Sequence, residues 1–416
     1  MYFELIDHIL ASTVNSFPEL SEDAELKASF THWLQNREFL YKMQDERVIN
    51  FWKTEIDNFL RMKNTSEREI FNKIPFYSNG DQFDFIDLFA GIGGFNLALT
   101  SVGGRCVLSS EWDKFAKKTY MNNYGKIPFG DINQFTGENV DDHELDALIP
   151  DHKVLAAGFP CQPFSNAGVS ARNALGTPHG FECETQGTLF HSIARIAYVK
   201  QPEIVFMENV KNIISHDKGA TFNVIKTTME SLSQGNPEKE NYRFYYSLIN
   251  SESLVAQRRV RCYMVCIRED VWEAKEKIGF AFPDIGGESI PLRQVVENTL
   301  PIEAAEYTIS DALWKGHINR TQRNLARKTG FTAFEADLDR PSNTIVARYG
   351  KDGKECLVPQ ENSNPRKLTV NECRQLFGYP DSFILPGSKT SAYKQFGNSV
   401  VVPVVERIAR KIFEYL

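Results

Sequence analysis

Cysteine held between prolines is the first setting in this chain that suggests chemistry. The stretch Gly158-Phe159-Pro160-Cys161-Gln162-Pro163-Phe164-Ser165 restricts the backbone on both sides of Cys161. A thiol is a strong nucleophile once deprotonated, so Cys161 reads as a candidate nucleophile, with a small apolar residue at a strand end as the other reading. Two further groups stand beside apolar runs. Ile204 to Met207 ends in Glu208-Asn209-Val210, an acid on the side where α/β proteins build ligand sites. Gln257-Arg258-Arg259-Val260-Arg261 opens the run Tyr263 to Ile267, so that Arg259 and Arg261 point to one side of a strand and Arg258 to the other. Plain surface arginines are the alternative for that cluster.

A second set of residues has the spacing of a nucleoside pocket. The apolar run Phe83 to Phe89 leads into Ala90-Gly91-Ile92-Gly93-Gly94-Phe95 and a helix, a strand, glycine loop and helix in which backbone can approach a ligand closely. The spacing differs from the G-x-G-x-x-G of dinucleotide binders, and a tight turn is the other reading. Arg105 to Ser110 then ends in Glu111-Trp112-Asp113, an acid about twenty residues past the loop, where it can accept both ribose hydroxyls. Trp112 offers a flat face for a purine. Asp131, in Gly130-Asp131-Ile132-Asn133, supplies a third strand tip that can accept from an adenine amino group.

These residues need a scaffold, and short apolar runs alternating with helical stretches from Phe83 onward predict an α/β fold with a mostly parallel sheet. Residues 1–80 read as helical and separate: Leu26, Phe30, Trp33 and Leu34 share one helix face, as do Trp52, Ile56, Phe59 and Leu60. No basic recognition face is visible there, so the segment reads as a helical extension ending at Ser78-Asn79-Gly80-Asp81. The polar, glycine-bearing stretch Asn166 to Gln186, with Arg172, reads as a lid. The helix after it, through Leu189, Ile193, Ile196 and Ala197, reads as core. From about Glu269 to Asn364 the α/β rhythm is lost and strands look short, which predicts a smaller irregular domain. The domains expected are therefore 1–80, then 81–268 completed by 366–416, and 269–365.

Composition narrows the class. The seven cysteines form no C-x-x-C pair, which indicates neither a disulfide framework nor a metal site. Met1 to Leu10 carries no basic leader, and the most apolar run, Val400 to Val405, is too short for a bilayer, so a cytoplasmic protein without membrane partners is expected. Net charge is −7. Against that acidity, Lys315 to Arg374 holds about twelve Lys/Arg and about seven Asp/Glu, as expected where phosphates are met.

Taken in order, Phe89-Ala90-Gly91-x-Gly93-Gly94, Glu111-Trp112-Asp113, Asp131, Pro160-Cys161-Gln162, Gly187-Thr188-Leu189-Phe190, Glu208-Asn209-Val210, Gln257-x-Arg259-x-Arg261, Arg366 to Gly378 and Gly397-Asn398-Ser399-Val400 resemble the motifs of the bacterial C5-cytosine DNA methyltransferases. The wording around Cys161 and Ala347 to Gly353 is similar to the Dcm-type subgroup of restriction-modification enzymes. The resemblance covers Phe83 to the C-terminus and leaves out residues 1–80. Ala256 stands where the family often has proline.

The resemblance implies a Rossmann-like S-adenosylmethionine-dependent methyltransferase sheet with a smaller target-recognition domain, acting on double-stranded DNA. It implies that Cys161 adds to C6 of a flipped cytosine, that Glu208 holds N3 and the exocyclic amine, and that Arg261 and Arg259 fix the base and the cysteine loop. It assigns the methyl donor to Phe89, Gly91, Ile92, Gly93, Gly94, Glu111, Trp112, Asp131, Leu189 and Asn398. DNA contacts fall on Gln162, Ser165, Arg172, Arg320, Arg323, Arg327 and the dipeptide Thr344-Ile345, which matches the end of the family's recognition region. A cognate restriction endonuclease is implied as a companion, without a stable complex. A tRNA cytosine methyltransferase of the Dnmt2 type shares this chemistry and is the alternative; the Phe159-Pro160-Cys161-Gln162 wording favours DNA. An oxidoreductase would want G-x-G-x-x-G and gives Cys161 no task, and a binding protein would rest on the N-terminal helices alone.

Overall fold

The computed structural model describes residues 1–37, 45–77, 80–160, 189–328 and 332–416, and places them in two compact units. The first comprises Met1–Ser247, Cys262–Ala281 and Arg410–Leu416; the second comprises Leu248–Arg261 and Phe282–Ala409.

Six strands form one sheet in the order β2-β1-β3-β4-β6-β5. They are β1 (Phe83–Leu88), β2 (Gly104–Ser110), β3 (Val154–Gly158), β4 (Ile204–Val210), β5 (Tyr242–Asn250) and β6 (Val260–Arg268). β1 pairs parallel with β2 and β3, and β3 pairs parallel with β4. β3 and β4 read as continuous apolar runs, as strands covered on both faces must. Cys262 and Cys266 are fully buried in β6, as their spacing predicts. β5 was not anticipated: its burial is irregular, with Tyr242 and Ile249 buried, Arg243, Tyr246 and Leu248 exposed and no continuous apolar run.

The N-terminal segment is helical, with α1 (Tyr2–Ser16), α2 (Leu26–Gln35), α3 (Glu46–Lys63) and α4 (Glu67–Phe71). Local chemistry sets their limits. Asp45 caps α3 by accepting the Arg47 N–H, Asn64 ends it in the left-handed region at φ 48°, and Ser66 and Glu69 form a reciprocal capping box on α4. The helices are not separate, however. Leu5, Ile6, Ile9, Phe30, Trp33, Trp52, Ile56 and Phe59 are 2% exposed or less and belong to the same apolar core as Ile86, Val107, Leu155 and Val205 of the sheet. At about 1.5–3 kcal/mol for each large side chain buried, this is docking and not tethering. Periodicity reveals that a helix has an apolar face but not what covers it.

α2 lies along the free edge of β2. Asn36 Nδ2 donates to Cys106 O (3.3 Å), which also accepts from Lys126 Nζ, and Ser109 N–H donates to His32 Nε2 (3.1 Å), so side chains take up edge-strand groups of β2. Further along the first unit come α5 (Gly94–Thr100), α6 (Lys114–Tyr124), α7 (Asn133–Thr136), α8 (Asp142–Leu148), α9 (Leu189–Lys200) and α10 (Ala220–Glu230).

The second unit holds α11 (Asp311–Arg327), α12 (Val370–Leu376), α13 (Lys389–Asn398) and the first turns of α14 (Val402–Phe413). Residues 366–409 group here, and not with the sheet. Its interior contains a bidentate ion pair: Arg366 donates through both terminal nitrogens to Glu372 at 2.8 Å, and Glu372 also accepts from Thr299 Oγ1 and the Thr369 N–H. The length of α11 departs from the irregular texture expected of 269–365. Its inner face is apolar only at Leu313 and Trp314, which pack on Ile309, Ala333 and Leu357; beyond them His317 donates to Asp352 O and Thr321 is bonded to Ala333, so no apolar period runs the length of the helix.

Candidate active site

Three chain segments meet at the tips of β1 and β2. The backbone leaves β1 through Phe89 at φ 57° and Gly91 at φ 56°, reaches Gly93 at φ 84°, and enters α5 at Gly94. Gly93 is required twice over. An L side chain is strained at that φ, and a Cβ there would stand inside the ring of Tyr124, whose hydroxyl donates to Gly93 O (2.7 Å). Gly91 differs: no heavy atom lies within 4 Å of where its Cβ would be, so the crest of the loop borders open space. Ile92 beside it is buried at 1% exposure, leaving only its backbone to meet a ligand.

Glu111 joins the loop to β2. Its carboxylate accepts the Gly91 N–H (2.7 Å) and the Asp113 N–H (2.7 Å), and burial pushes its pKa above the ordinary carboxylate value although these bonds pull the other way. The third segment is pinned to the second, since Phe129 N–H donates to Ser109 O and Glu111 N–H to Phe129 O, both at 2.8 Å. Asp131, two residues on, is half-buried and accepts from the Asn133 N–H and side-chain amide. Trp112 is 75% exposed at the same tip. The glycine loop, Glu111, Trp112 and Asp131 therefore lie at one end of the sheet, although the segment before Asp131 makes a single bridge at Phe129 and is not the third strand expected.

Glu208 lies further along that edge. The parallel register pairs Gly158 with Glu208, and strands hydrogen-bonded side by side run about 4.8 Å apart. Glu208, 8% exposed, thus stands beside the residue from which the chain passes through Phe159 and Pro160 towards Cys161. Asn209 Nδ2 donates to Phe159 O (2.9 Å) and its Oδ1 accepts the Val210 N–H, which ties the tip of β4 to the approach to the cysteine. Sequence reasoning used Asn209 only as part of a motif; that it tethers Phe159 is visible only in the register. Cys161, Gln162, Ser165, Arg172 and the lid expected from Asn166 to Gln186 lie outside the described residues. Leu189 opens α9, half-buried against the core.

In the second unit Arg259 is 4% exposed. Its guanidinium donates to Ile345 O (2.9 Å), Gly397 O (3.1 Å) and Ser399 O (2.8 Å) and lies over the Phe377 ring at 5.0 Å. Arg261 is half-buried and donates to its own strand at Val260 O. Asn398 is exposed at the end of α13. Gln257, absent from the expected site, is fully buried and bridges Leu376 O and the Ile345 N–H. That pairing corrects one expectation: Ile345 is 0% exposed and has no surface to offer a base. Thr344 donates its hydroxyl to Arg258 O, so the dipeptide packs onto the 257–259 strand entrance. Arg320, Arg323 and Arg327 lie along one face of α11 at helical spacing and face solvent in part or whole, with Arg320 drawn towards Asp352 (3.7 Å).

Among the described residues no cluster of three or more His, Cys, Asp or Glu side chains is placed to hold a metal, and no helix is long and apolar enough to cross a membrane.

A glycine loop after β1, an acid at the tip of β2, a second acid on the segment bridged to that tip, and an acid near the end of β4 beside the exit of β3 give the chain the layout of an α/β transferase of the nucleoside-cofactor kind. The family model for C-5 cytosine-specific DNA methylases matches residues 83–414, and the chain belongs to that family: it is a DNA cytosine methyltransferase. It is 42% identical over 351 residues to the type II methyltransferase M.SsoII of Shigella sonnei, across 83% of this chain and 84% of that protein. It is 38% identical to a DNA-cytosine methyltransferase of Escherichia coli K12, across 79% and 77%. In fold it resembles the Schizosaccharomyces pombe Dnmt2 methyltransferase (TM-score 0.56, 18% identity, 80% and 98% covered). It also resembles a putative prophage-encoded DNA modification methyltransferase of E. coli (TM-score 0.54, 19% identity, 80% and 98% covered).

Proposed function

We propose that the chain methylates C5 of a cytosine flipped out of a short duplex DNA sequence, using Cys161 as nucleophile and S-adenosylmethionine as donor, within a restriction-modification system. The observation that carries the site assignment is the Gly158–Glu208 register with the Asn209 tether on Phe159, which sets an acid beside the entry to the cysteine loop.

Cytosine C5 is a poor nucleophile until a group adds at C6. In this reading the Cys161 thiolate forms the Sγ–C6 bond and the displaced electron pair enriches C5, while Glu208 holds a proton against N3 and the exocyclic amine as charge develops. After C5 has gained its methyl group its proton passes to water, the C–H electron pair re-forms the C5–C6 double bond as the Sγ–C6 bond breaks, and the thiolate returns. Because Arg259 is bonded to three carbonyls of its own unit, it acts here as a positioning residue for the 345 and 397–399 backbone. Arg261 keeps the contact with the base.

The first unit fits the donor; Asn398, which lies in the second unit, enters only as what the family resemblance implies. The open space over Gly91 admits a ligand against the backbone, and the half-buried Glu111 carboxylate is a strong acceptor for a ribose diol. Glu111 would hold the ribose, Trp112 and Phe89 the adenine, Asp131 its amino group, and the 91–94 loop, Leu189 and Asn398 the remainder. When bound, S-adenosylmethionine supplies an electrophilic methyl group on a sulfonium. Residues 269–365 serve as the target-recognition region, with Arg320, Arg323 and Arg327 meeting phosphates. Both relatives cited by name are DNA or type II methyltransferases, which supports duplex DNA as substrate and a restriction endonuclease as companion.

Duplex DNA containing 5-fluorocytosine tests the mechanism, because a fluorine at C5 cannot leave as a proton does and the adduct is trapped. Peptide mapping is expected to place it on Cys161, and Cys161→Ser is expected to abolish it while retaining donor binding. An adduct on another residue, or methylation confined to tRNA, would overturn the assignment.

A further inference from the structure

The N-terminal helices precede the family match, which begins at residue 83, yet α2 directs its polar side chains at the two segments that carry Glu111 and Asp131. His32 is fully buried. Its Nδ1 donates to Ala28 O (3.0 Å), and its Nε2 accepts the Ser109 N–H and lies 3.1 Å from Ser109 Oγ. That arrangement uses the neutral ring, and burial pushes the His32 pKa down to about 3, so the acceptor persists through the physiological range. The His32 ring also packs on Phe129 with centroids 4.8 Å apart. Phe129 is the residue whose backbone bonds to both Ser109 and Glu111.

Two more contacts extend along the same segment. Thr31 Oγ1 accepts the Ile127 N–H (3.1 Å), and Glu25 Oε1 accepts the Gly130 N–H (3.0 Å), one residue before Asp131. Capping the edge of β2 would require only the Asn36 and His32 bonds. The Thr31 and Glu25 bonds lie beyond the strand, on the loop.

We infer that residues 25–36 form a clamp in which Glu25, Thr31 and His32 are positioning residues, holding the tip of β2 and residues 127–130 at the separation a nucleoside between Glu111 and Asp131 requires. The inference rests on the proposed cofactor reading of those two acids. Its physical content is preorganisation: tips held in place before binding spare the ligand the cost of ordering them. By reciprocity the bound ligand stabilises the clamp.

The test uses the full chain and titrates S-adenosylhomocysteine by calorimetry, alongside kcat, KM for each substrate and Tm. His32→Leu and Glu25→Ala are each expected to raise the Kd, and the KM for S-adenosylmethionine, about three- to tenfold, the worth of one buried hydrogen bond. kcat and the KM for DNA stay put. His32→Gln and Glu25→Gln keep an acceptor in place and are expected to return Kd to within about twofold of the parent. A Kd unmoved in the first pair, or a fall in kcat and Tm with Kd unmoved, overturns the clamp. If His32→Leu fails to fold, the Glu25 pair decides by the same numbers. Glu111→Ala separates the two readings. Binding lost there but intact in the clamp variants sinks the clamp alone; binding intact in Glu111→Ala sinks the pocket, and the clamp with it.

Discussion

Replacing Asn209 by alanine tests how the cysteine loop is aimed. Asn209 is 1% exposed, and its amide spans from β4 to Phe159 O at 2.9 Å, two residues before Cys161. The substitution leaves a buried carbonyl without this donor, at a cost of about 1–3 kcal/mol. Phe159 directly follows the end of β3, so the cheapest relief is for the chain there to move and let the carbonyl reach water. If the whole cost falls on that equilibrium, the fraction of molecules with Cys161 in place drops about five- to 150-fold. Donor binding is unaffected, because Gly91 and Glu111 lie at the ends of β1 and β2, away from the β3–β4 tips that Asn209 joins. A rapid-quench, single-turnover measurement of methyl transfer to duplex DNA at saturating donor reads the loss directly, with Tm measured in parallel. A rate within about twofold of the parent at unchanged Tm would refute the tether, and a loss matched by the unfolded fraction would reduce Asn209 to a packing residue.

Other substitutions separate stability from binding. Gly93→Ala drives a Cβ into Tyr124 at an unfavourable φ and is expected to lower both Tm and donor affinity, whereas Gly91→Ala meets no atom and should cost stability only about 1 kcal/mol while blocking the donor. Calorimetric unfolding with and without S-adenosylhomocysteine distinguishes them. Glu111 titrates above the usual carboxylate range, so its folded form is favoured by protonation: its contribution to stability is full at low pH and fades as pH rises through the folded pKa. Donor affinity should run the other way, rising over that same window because the carboxylate is the better diol acceptor, and Glu111→Gln should flatten the profile. Replacing Arg320, Arg323 and Arg327 together by alanine is expected to weaken DNA binding evenly across sequences and to reduce the slope of log K against log salt by up to about three. Glu372→Leu leaves the Arg366 guanidinium buried without its carboxylate and should destabilise the second unit by about 3–5 kcal/mol, read as a lowered denaturation midpoint.

Much of the catalytic framework was legible because its signals are local. An apolar run, a glycine loop and an acid about twenty residues on need only chain order to be interpreted, since parallel strands deliver their ends to one side of the sheet. The same locality explains what was missed. α11 escaped notice because its fully buried positions are His317 and Thr321, which bond to Asp352 and Ala333, and only Leu313 and Trp314 at its start are apolar against the core, so no hydrophobic period runs its length. Ile345 looked like the end of a DNA-reading segment; only the bond from its N–H to Gln257, a partner 88 residues away, shows that it points inward.

By itself, then, the sequence determined the α/β alternation, the glycine loop after β1 and the acids that follow β2 and end β4, because those follow from side-chain spacing along the chain. Tertiary structure alone decided which neighbours those groups have: that Glu208 pairs with Gly158, that Arg259 is occupied by three carbonyls, and that the N-terminal helices are bonded to Ser109 and Gly130. A residue's type limits the hydrogen bonds it can make, but its partner is set by strand register and by which face the core covers. Neither can be read from spacing along one chain.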